Sequence, residues 1–256
     1  MNLDLVSRAA MLACFACLIA SSGCAGTGGE AADYSAIAAS SDRSEADRQI
    51  DLRRKPGLLL AFTGVRPGMK VLDMGAGGGY STELLARAVG AHGLVYAQDS
   101  AAVPDRVRQR YDERARKPVM KNVERLLRDF DDPIPPDVGN LDLITFLFAY
   151  HDTAFMGVDR AKMNRRLFAA LAPGGTLVVA DHSAQPGAGI SVAKSLHRIE
   201  ESVLRREIEA AGFKLVAAAD FLRNPDDLRD ATVFRAKIPV DEFVLKFVKP
   251  KETPPG

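Results

Sequence analysis

The sequence predicts an alternating α/β chain built as a doubly wound, mostly parallel sheet, and three observations carry that prediction. A short apolar stretch, Lys70 to Met74, runs directly into Gly75-Ala76-Gly77-Gly78-Gly79. A second apolar stretch, Leu94 to Asp99, follows one helix-length segment later and ends in a carboxylate. Strand-like and helix-like segments then keep alternating toward the C-terminus, the pattern of helices laid over both faces of one sheet.

Taken in order, Arg66-Pro67-Gly68 is a turn signal, and the stretch Lys70 to Met74 behind it is too short for a helix, so it reads as the first strand. Asp73 sits at its end. The glycines after it allow a sharp bend, close approach to a ligand and tight packing of the next helix. From Tyr80 to Val89, the residues Leu84, Leu85, Ala88 and Val89 share a helical face, and Gly90-Ala91-His92-Gly93 stops the helix. Free N–H groups at its start point toward the same ligand. Leu94 to Asp99 is the second strand, and Asp99 lies about 20 residues beyond the glycines, where a ribose-binding acid belongs in a βαβ nucleotide unit.

Pro104 opens a charge-rich helix running to Lys117. Val123 to Arg128 is the third strand, leading into Asp129-Phe130-Asp131-Asp132-Pro133. Leu141 to Phe148 is nearly continuous in apolar residues, as a central parallel strand covered on both faces should be. Asp159 to Leu171 has helical spacing at Met163, Leu167, Phe168 and Leu171, and Pro173-Gly174-Gly175 ends it. Thr176 to Ala180 is the fifth strand. Ser195 to Ala211 reads as one amphipathic helix with Leu196, Ile199, Val203 and Ile208 inward, and Phe213 to Ala219 and Phe243 to Val248 are the last strands. Residues 221–241, around Asn224-Pro225-Asp226-Asp227, are irregular and have no place fixed by the sequence, a partial cover over the site being one reading.

The spacing Asp73-x-Gly75-x-Gly77-x-Gly79 differs from the G-x-G-x-x-G of dinucleotide folds and resembles motif I of the class I S-adenosylmethionine-dependent methyltransferases. The resemblance extends to Lys55-Pro56, Val65-Arg66-Pro67-Gly68-Met69-Lys70, Leu171-Ala172-Pro173-Gly174-Gly175-Thr176-Leu177 and Ala210-Ala211-Gly212-Phe213, covering roughly residues 50 to 250. The same phrases occur in this order in the quinone-biosynthesis methyltransferases. The N-terminus and His151-Asp152 look like an exported group of predicted methyltransferases. This resemblance implies a Rossmann-like, seven-stranded sheet with an antiparallel C-terminal edge, S-adenosylmethionine as cofactor, and methyl transfer as the activity. It also implies the cofactor residues. The methionine portion would lie over Gly75, Ala76, Gly77 and Gly79 with Asp73 near its ammonium, while Asp99 and Ser100 would serve the ribose. Asp129 and Phe130 would address the adenine, although Asp131 and Asp132 compete for the role of Asp129.

Substrate-side residues come from the ends of the fourth and fifth strands, where open parallel sheets place ligands. Those ends read Tyr150-His151-Asp152 and Asp181-His182-Ser183. His151 is the candidate general base, a neutral imidazole being suited to taking a proton near pH 7, with Asp152 or Asp181 orienting it. His182 is the second catalytic candidate, and His197 and Arg198 read as structural or substrate-contacting. His151, Asp152, Asp181 and His182 could also converge on a cation. The stretch from Ala180-Asp181-His182 to Pro186-Gly187 looks partly like the metal-binding strand end of catechol-type O-methyltransferases, whose fourth-strand acid has no counterpart here. A mixed His/Asp set suits zinc or iron better than magnesium, and no metal is assigned. Phe146, Phe148, Phe155 and Met156 suggest a partly hydrophobic acceptor, with plain core packing the competing reading and the favoured one for Phe146.

The chain has 256 residues and a formal charge of +1, with acids and bases interleaved, so there is no basic face for nucleic acid. Arg106 to Arg110 and Arg114 to Lys117 read as solvated helix surface. Ala9 to Ala20 has the length of a signal-peptide apolar region, and Ser21-Ser22-Gly23-Cys24 resembles a lipoprotein processing site, although Ser21 and Asp4 depart from the usual pattern. The expected organisation is a leader over 1–24, a flexible tether over 25–44, the methyltransferase domain over 45–250 and a tail over 251–256. On this reading the protein is exported, and any membrane attachment is through a lipid on Cys24. A soluble exported form and a cytoplasmic protein with a misassigned start are the alternatives. Cys14, Cys17 and Cys24 all fall in the leader, which leaves the domain without disulfides or a thiol nucleophile. Export conflicts with a cofactor made in the cytoplasm. Two other readings therefore stay open, a non-catalytic small-ligand-binding protein on the same fold and a nicotinamide-dependent oxidoreductase.

Overall fold

The computed structural model describes residues 33–251. Three helices come first: α1 (Tyr34–Ala39), α2 (Glu45–Arg54) and α3 (Pro56–Thr63). The alternating part follows as β1 (Lys70–Met74), α4 (Tyr80–Val89), β2 (Leu94–Asp99), α5 (Asp105–Ala115), β3 (Val123–Leu127), β4 (Leu141–Leu147), α6 (Tyr150–Thr153), α7 (Arg160–Ala170) and β5 (Leu171–His182). The chain closes with α8 (Ala193–Leu196), α9 (Glu201–Glu209), β6 (Lys214–Ala219) and β7 (Glu242–Val248).

The seven strands form one sheet in the order β3-β2-β1-β4-β5-β7-β6. The first five pair in parallel, and β7 runs antiparallel to both β5 and β6. This is the seven-stranded doubly wound sheet with an antiparallel C-terminal edge that the sequence leads one to expect. Because side chains alternate across a strand, the two faces feed two cores. Leu72, Ile144 and Val179 pack with Met163, Leu167, Leu204 and Ile208 on one side. Val71, Leu143 and Val178 pack with Leu59, Leu60, Leu84 and Leu85 on the other. Strands buried on both faces explain the apolar runs in β1 and β4.

Several expectations change. Residues 33–44, placed in a flexible tether, carry α1 instead: Asp33 caps it by accepting from the Ser35 and Ala36 amides, and Tyr34 donates from its hydroxyl to Val65 O at 2.6 Å. Tyr34 and Ile37 pack on the α3/α4 core, so local capping and apolar contact outweigh the small, polar composition of this stretch. The leader and residues 25–32 of the tether lie outside the described residues.

The helix expected over Ser195 to Ala211 is broken. His197 adopts a left-handed φ of 54°, and Ile199 leaves the helix to bridge Ser183, donating to His182 O and accepting from Ala184 N, both at 2.9 Å. Sheet-edge hydrogen bonds win over helical periodicity here. Of the inward set, Ile199 and Ile208 are fully buried, whereas Leu196 and Val203 are only half-buried and Leu204 takes the core position. The fifth strand also begins earlier than expected, at Leu171, with a register irregularity against β4 between Leu141 and Leu143.

Arg114 and Lys117 are not solvated helix surface. Arg114 grips Asp47 of α2 with both guanidinium nitrogens at 2.7 and 2.8 Å, also pairs with Glu83, and donates from Nε to Gly78 O at 2.9 Å. Lys117 joins Glu83 at 2.8 Å. Arg106, Arg110 and Arg116 do face solvent. Among the described residues, no helix is long and apolar enough to cross a membrane.

Candidate active site

The glycine turn at the end of β1 is built for close approach. Gly75 has φ of 65°, and a Cβ there would lie 3.0 Å from Ala149 Cβ and 3.5 Å from the Phe146 ring, so a side chain is excluded by both conformation and space. Gly79, φ 77°, starts α4, where a Cβ would come within 2.9 Å of Arg114 Cδ. Asp73 is fully buried beneath the turn, accepting hydrogen bonds from the hydroxyls of Ser81, Thr82 and Thr145 at 2.7 to 2.9 Å. Burial pushes its pKa up while the three hydroxyls act against that. The carboxylate thus ties β1, α4 and β4 together and anchors the turn from below.

Asp99 holds the same turn from β2. One oxygen accepts the Gly77 amide at 3.0 Å and the other the Ser100 amide at 2.8 Å. Burial raises its pKa, against the pull of those two amides. Each carboxylate oxygen keeps a second lone pair, which suits a pair of ribose hydroxyls. Ala76 is buried, and its amide donates to Gln98 O at 2.9 Å. At the end of β3, Phe130 stacks parallel on Phe146 with centroids 6.0 Å apart, beside Gly75. Asp129 is exposed. Its two competitors are engaged elsewhere, Asp131 with Lys162 and Asp132 with Arg128 and Arg166, which leaves Asp129 the acid of this loop without an ion pair among the described residues.

A cavity of about 290 Å³ opens beyond the C-terminal ends of β4 and β5. His151, Asp152, His182 and His197 line it with Phe148, Arg53 and Arg54, and the irregular segment closes one side through residues such as Phe234, Ile238 and Val240. The expectation that 221–241 covers the site therefore holds for its second half. Its first half is tied down by Arg198, fully buried, which pairs with both oxygens of Asp227 and donates to Ser183 O and Ala231 O. Arg198 is structural.

His151 is nearly enclosed. Its Nδ1 lies 2.7 Å from Asp181 Oδ1, its backbone amide donates to Asp181 Oδ2 at 2.8 Å, and its Nε2 lies 3.0 Å from Asp152 Oδ1 and 3.2 Å from His197 Nδ1. Burial alone would lower the pKa, but Asp181 and Asp152 together raise it to about 10. A ring held as imidazolium at pH 7 cannot accept a proton. This corrects the neutral-base role expected of His151. Its partner Asp181 is held below the usual carboxylate range, with burial opposed by the two neighbouring histidines. His182 Nδ1 stands 2.9 Å from Glu242 Oε1, an ion-pair distance without hydrogen-bond alignment, and the ring lies 5.4 Å from Phe148.

Of the apolar residues expected to line the pocket, Phe148 does so. Phe146 is core, and Phe155 and Met156 lie on the surface outside the cavity lining. Arg54 and Glu242 are not marked out by the sequence, because only tertiary folding brings them to the site. Arg54 lies 4.2 Å above the Phe148 ring and 5.5 Å from that of Tyr80, and burial lowers its pKa to about 10, so it stays charged at pH 7. Its Nε has no hydrogen-bond partner.

A doubly wound sheet of this order, with a glycine turn after β1 and a carboxylate ending β2, defines a class I methyltransferase domain. Comparison with known proteins agrees. Residues 71–175 match a family model described as a methyltransferase domain. A ubiquinone/menaquinone biosynthesis C-methyltransferase, UbiE, of Idiomarina loihiensis is 31% identical over 121 residues, covering 47% of this chain and 45% of the relative, less than half of that protein's length. Among solved structures, an S-adenosylmethionine-dependent methyltransferase from Aquifex aeolicus superposes with a TM-score of 0.57 at 22% identity, over 79% of this chain and 96% of the other. The [4+2]-cyclase SpnF superposes with a TM-score of 0.58 at 18% identity, over 81% and 82%. Residues 71–175 match a methyltransferase domain, the described residues have the fold of S-adenosylmethionine-dependent methyltransferases, and S-adenosylmethionine is the cofactor of that class. The cyclase shows that the fold by itself does not determine the reaction.

Proposed function

We propose that the protein transfers a methyl group to a small, partly hydrophobic acceptor bound in the cavity beyond β4 and β5. The observation that carries this reading is the cavity itself, which joins an apolar wall of Phe148, Phe234, Ile238 and Val240 to a polar cluster of three histidines and Asp152. The cofactor residues fit their role. The side-chain-free turn at Gly75 and Gly79 admits a ligand backbone-close, Asp99 has lone pairs for two hydroxyls, and Phe130 provides an apolar edge for a base, with Asp129 beside it. S-adenosylmethionine, when bound, supplies an electrophilic methyl on a sulfonium. The protein's own work is then mainly placement, since in-line displacement rewards alignment of the two reactants. Phe148 and Phe234 would orient the acceptor's apolar part, and the segment 233–240 would keep water out. Arg54, with no carboxylate partner among the described residues, supplies positive charge for an anionic portion of either ligand. Asp152, half-buried at the cavity wall, is the acid placed to receive a proton from the acceptor.

Export with a lipid on Cys24 stays part of this proposal. Fractionation of cells carrying a Cys24→Ala variant tests it: loss of membrane association supports it, and unchanged cytoplasmic recovery of both forms overturns it. The cofactor assignment is tested by calorimetry on the full chain. Saturable binding of S-adenosylmethionine and S-adenosylhomocysteine that Asp99→Ala abolishes is the expected result, and no binding at about millimolar cofactor refutes it. Transfer of radiolabelled methyl into lipid, small-molecule or protein fractions then identifies the acceptor class. Binding with no transfer to any fraction would favour a non-catalytic binding protein.

A further inference from the structure

The geometry points to a transition-metal site, assigned here to Zn²⁺, formed by His151 Nε2, Asp152 Oδ1 and His197 Nδ1 in the wall of the cavity. These three atoms come from α6 and from the break after α8, and they form a nearly equilateral triangle: 3.0 Å from His151 to Asp152, 3.2 Å from His151 to His197 and 3.3 Å from His197 to Asp152. Donors bound to one tetrahedral zinc at about 2.0–2.1 Å stand about 3.3–3.4 Å apart, so the triangle has close to the dimensions of three corners of such a site. Two imidazoles and one carboxylate leave a fourth position open, the arrangement of catalytic rather than purely structural zinc. That position faces the cavity that all three residues line.

A second observation is independent of the triangle. Metal-bound histidines are usually oriented by a carboxylate on the other ring nitrogen, which selects the tautomer. Asp181, fully buried at the end of β5, does this for His151: its Oδ1 is 2.7 Å from Nδ1, and its Oδ2 accepts the His151 amide, fixing both ring and backbone. With the Nδ1 proton held there, the Nε2 proton is the one directed at Asp152 and His197, and Zn²⁺ binding would release it to solvent and take the freed lone pair. The backbone is also shaped for convergence. His197 reaches the triangle from a left-handed conformation, φ 54°, uncommon for a residue with a side chain and costly enough that it recurs at functional positions. Its ring is wedged between Phe155 and Phe234, with centroids at 5.8 and 4.7 Å. Magnesium prefers an all-oxygen octahedron and fits this set poorly. The metal site itself does not depend on the methyl-transfer reading. Only the further step, that the open position takes an acceptor oxygen, rests on it.

Untagged full-length protein, stripped with chelator and dialysed, is titrated with Zn²⁺ by calorimetry and with Co²⁺ by visible absorption. One equivalent is expected, with a d–d band of four-coordinate intensity. His197→Ala and Asp152→Asn alter half-exposed side chains and should preserve the far-ultraviolet circular dichroism while weakening Zn²⁺ at least tenfold. Asp181→Asn should weaken it about 10- to 100-fold through loss of ring orientation. His92→Ala, an exposed histidine elsewhere, should change nothing. The site is refuted if the folded protein takes up no stoichiometric metal, or if uptake is unmoved in His197→Ala and Asp152→Asn. Should Asp181→Asn not fold, those two variants decide. S-adenosylmethionine binding is measured on the same samples. Its presence without metal uptake overturns the metal site alone, and metal uptake without it overturns the cofactor reading alone.

Discussion

Arg114→Ala is the sharpest probe of how the cofactor turn is held. The guanidinium joins three things: Asp47 of α2, Glu83 of α4 and the carbonyl of Gly78 in the turn itself. Removing it leaves Asp47, only 2% exposed, without its bidentate partner, whereas Glu83 keeps Arg87 and Lys117. Breaking one side of a buried pair typically costs 3–5 kcal/mol, and because Arg114 is itself 15% exposed and Glu83 stays paired, the expected loss is at the low end, about 3 kcal/mol. For a domain of this size that is about 6–12 °C in Tm. Urea unfolding of parent and variant measures it. The pH dependence gives a second reading. Burial pushes the Asp47 and Glu83 carboxyls up, but Arg114 and its neighbours hold both below their ordinary values. Their stabilisation is therefore complete above the ordinary carboxylate range and is lost as pH falls through the depressed folded values. The variant's acid limb should be shallower than the parent's. A loss under about 1 kcal/mol with an unchanged acid limb would show the network to be ornamental. S-adenosylmethionine affinity should fall as well, because Gly78 O loses its donor.

Two further outcomes follow from the same structure. Gly75→Ala forces a side chain into a left-handed conformation 3.0 Å from Ala149 Cβ, which should cost about 1–3 kcal/mol in urea unfolding and weaken cofactor binding; parental stability and affinity would refute the tight-approach argument. Arg198→Met breaks a buried bidentate pair with Asp227, and limited proteolysis should then cut within 221–241 at protein concentrations where the parent resists, with stability lower by about 3–5 kcal/mol. Parental resistance to protease would show that this segment is held by something else.

The parallel core was legible because its signals are local. β1, β2 and β4 are apolar runs bounded by turn residues, and the Asp73 and Asp99 positions follow from where those runs end. What failed was whatever depends on contacts distant in sequence. Ser195 to Ala211 has helical spacing throughout, yet Ile199 is drawn into a bridge with Ser183, which frees His197 to turn into the cavity. Arg114 looks like any base on a polar helix until Asp47, 67 residues away, is folded against it. His151 lines the cavity beyond β4, but the two carboxylates that meet its ring come together only in the fold, and periodicity says nothing of them.

These misses divide the site into two halves with separate supports. The cofactor turn is braced from below by Asp73 with its three hydroxyls and from the side by Arg114, residues on β1 and α5. The acceptor cavity is braced by Arg198 with Asp227 and by the Ile199 bridge, on the chain between α8 and β7. The two sets share no side chain and no hydrogen-bond partner. Perturbations without shared partners add. An Arg114→Ala/Arg198→Met double variant should therefore lose the sum of the single losses in stability, and the two lesions should separate in binding, the first lowering cofactor affinity and the second acceptor affinity. Strain is concentrated in the acceptor half, where Phe148 and His197 both hold left-handed backbones, φ 61° and 54°, at about 1–3 kcal/mol each. Such conformations persist only where the surroundings over-determine them, as the Phe148 amide on Ala180 O at 2.7 Å does for one and the Ile199 bridge does for the other. The buried Arg198 pair therefore keeps the cavity in shape, which accounts for a fully buried arginine in a part of the chain that has no regular secondary structure.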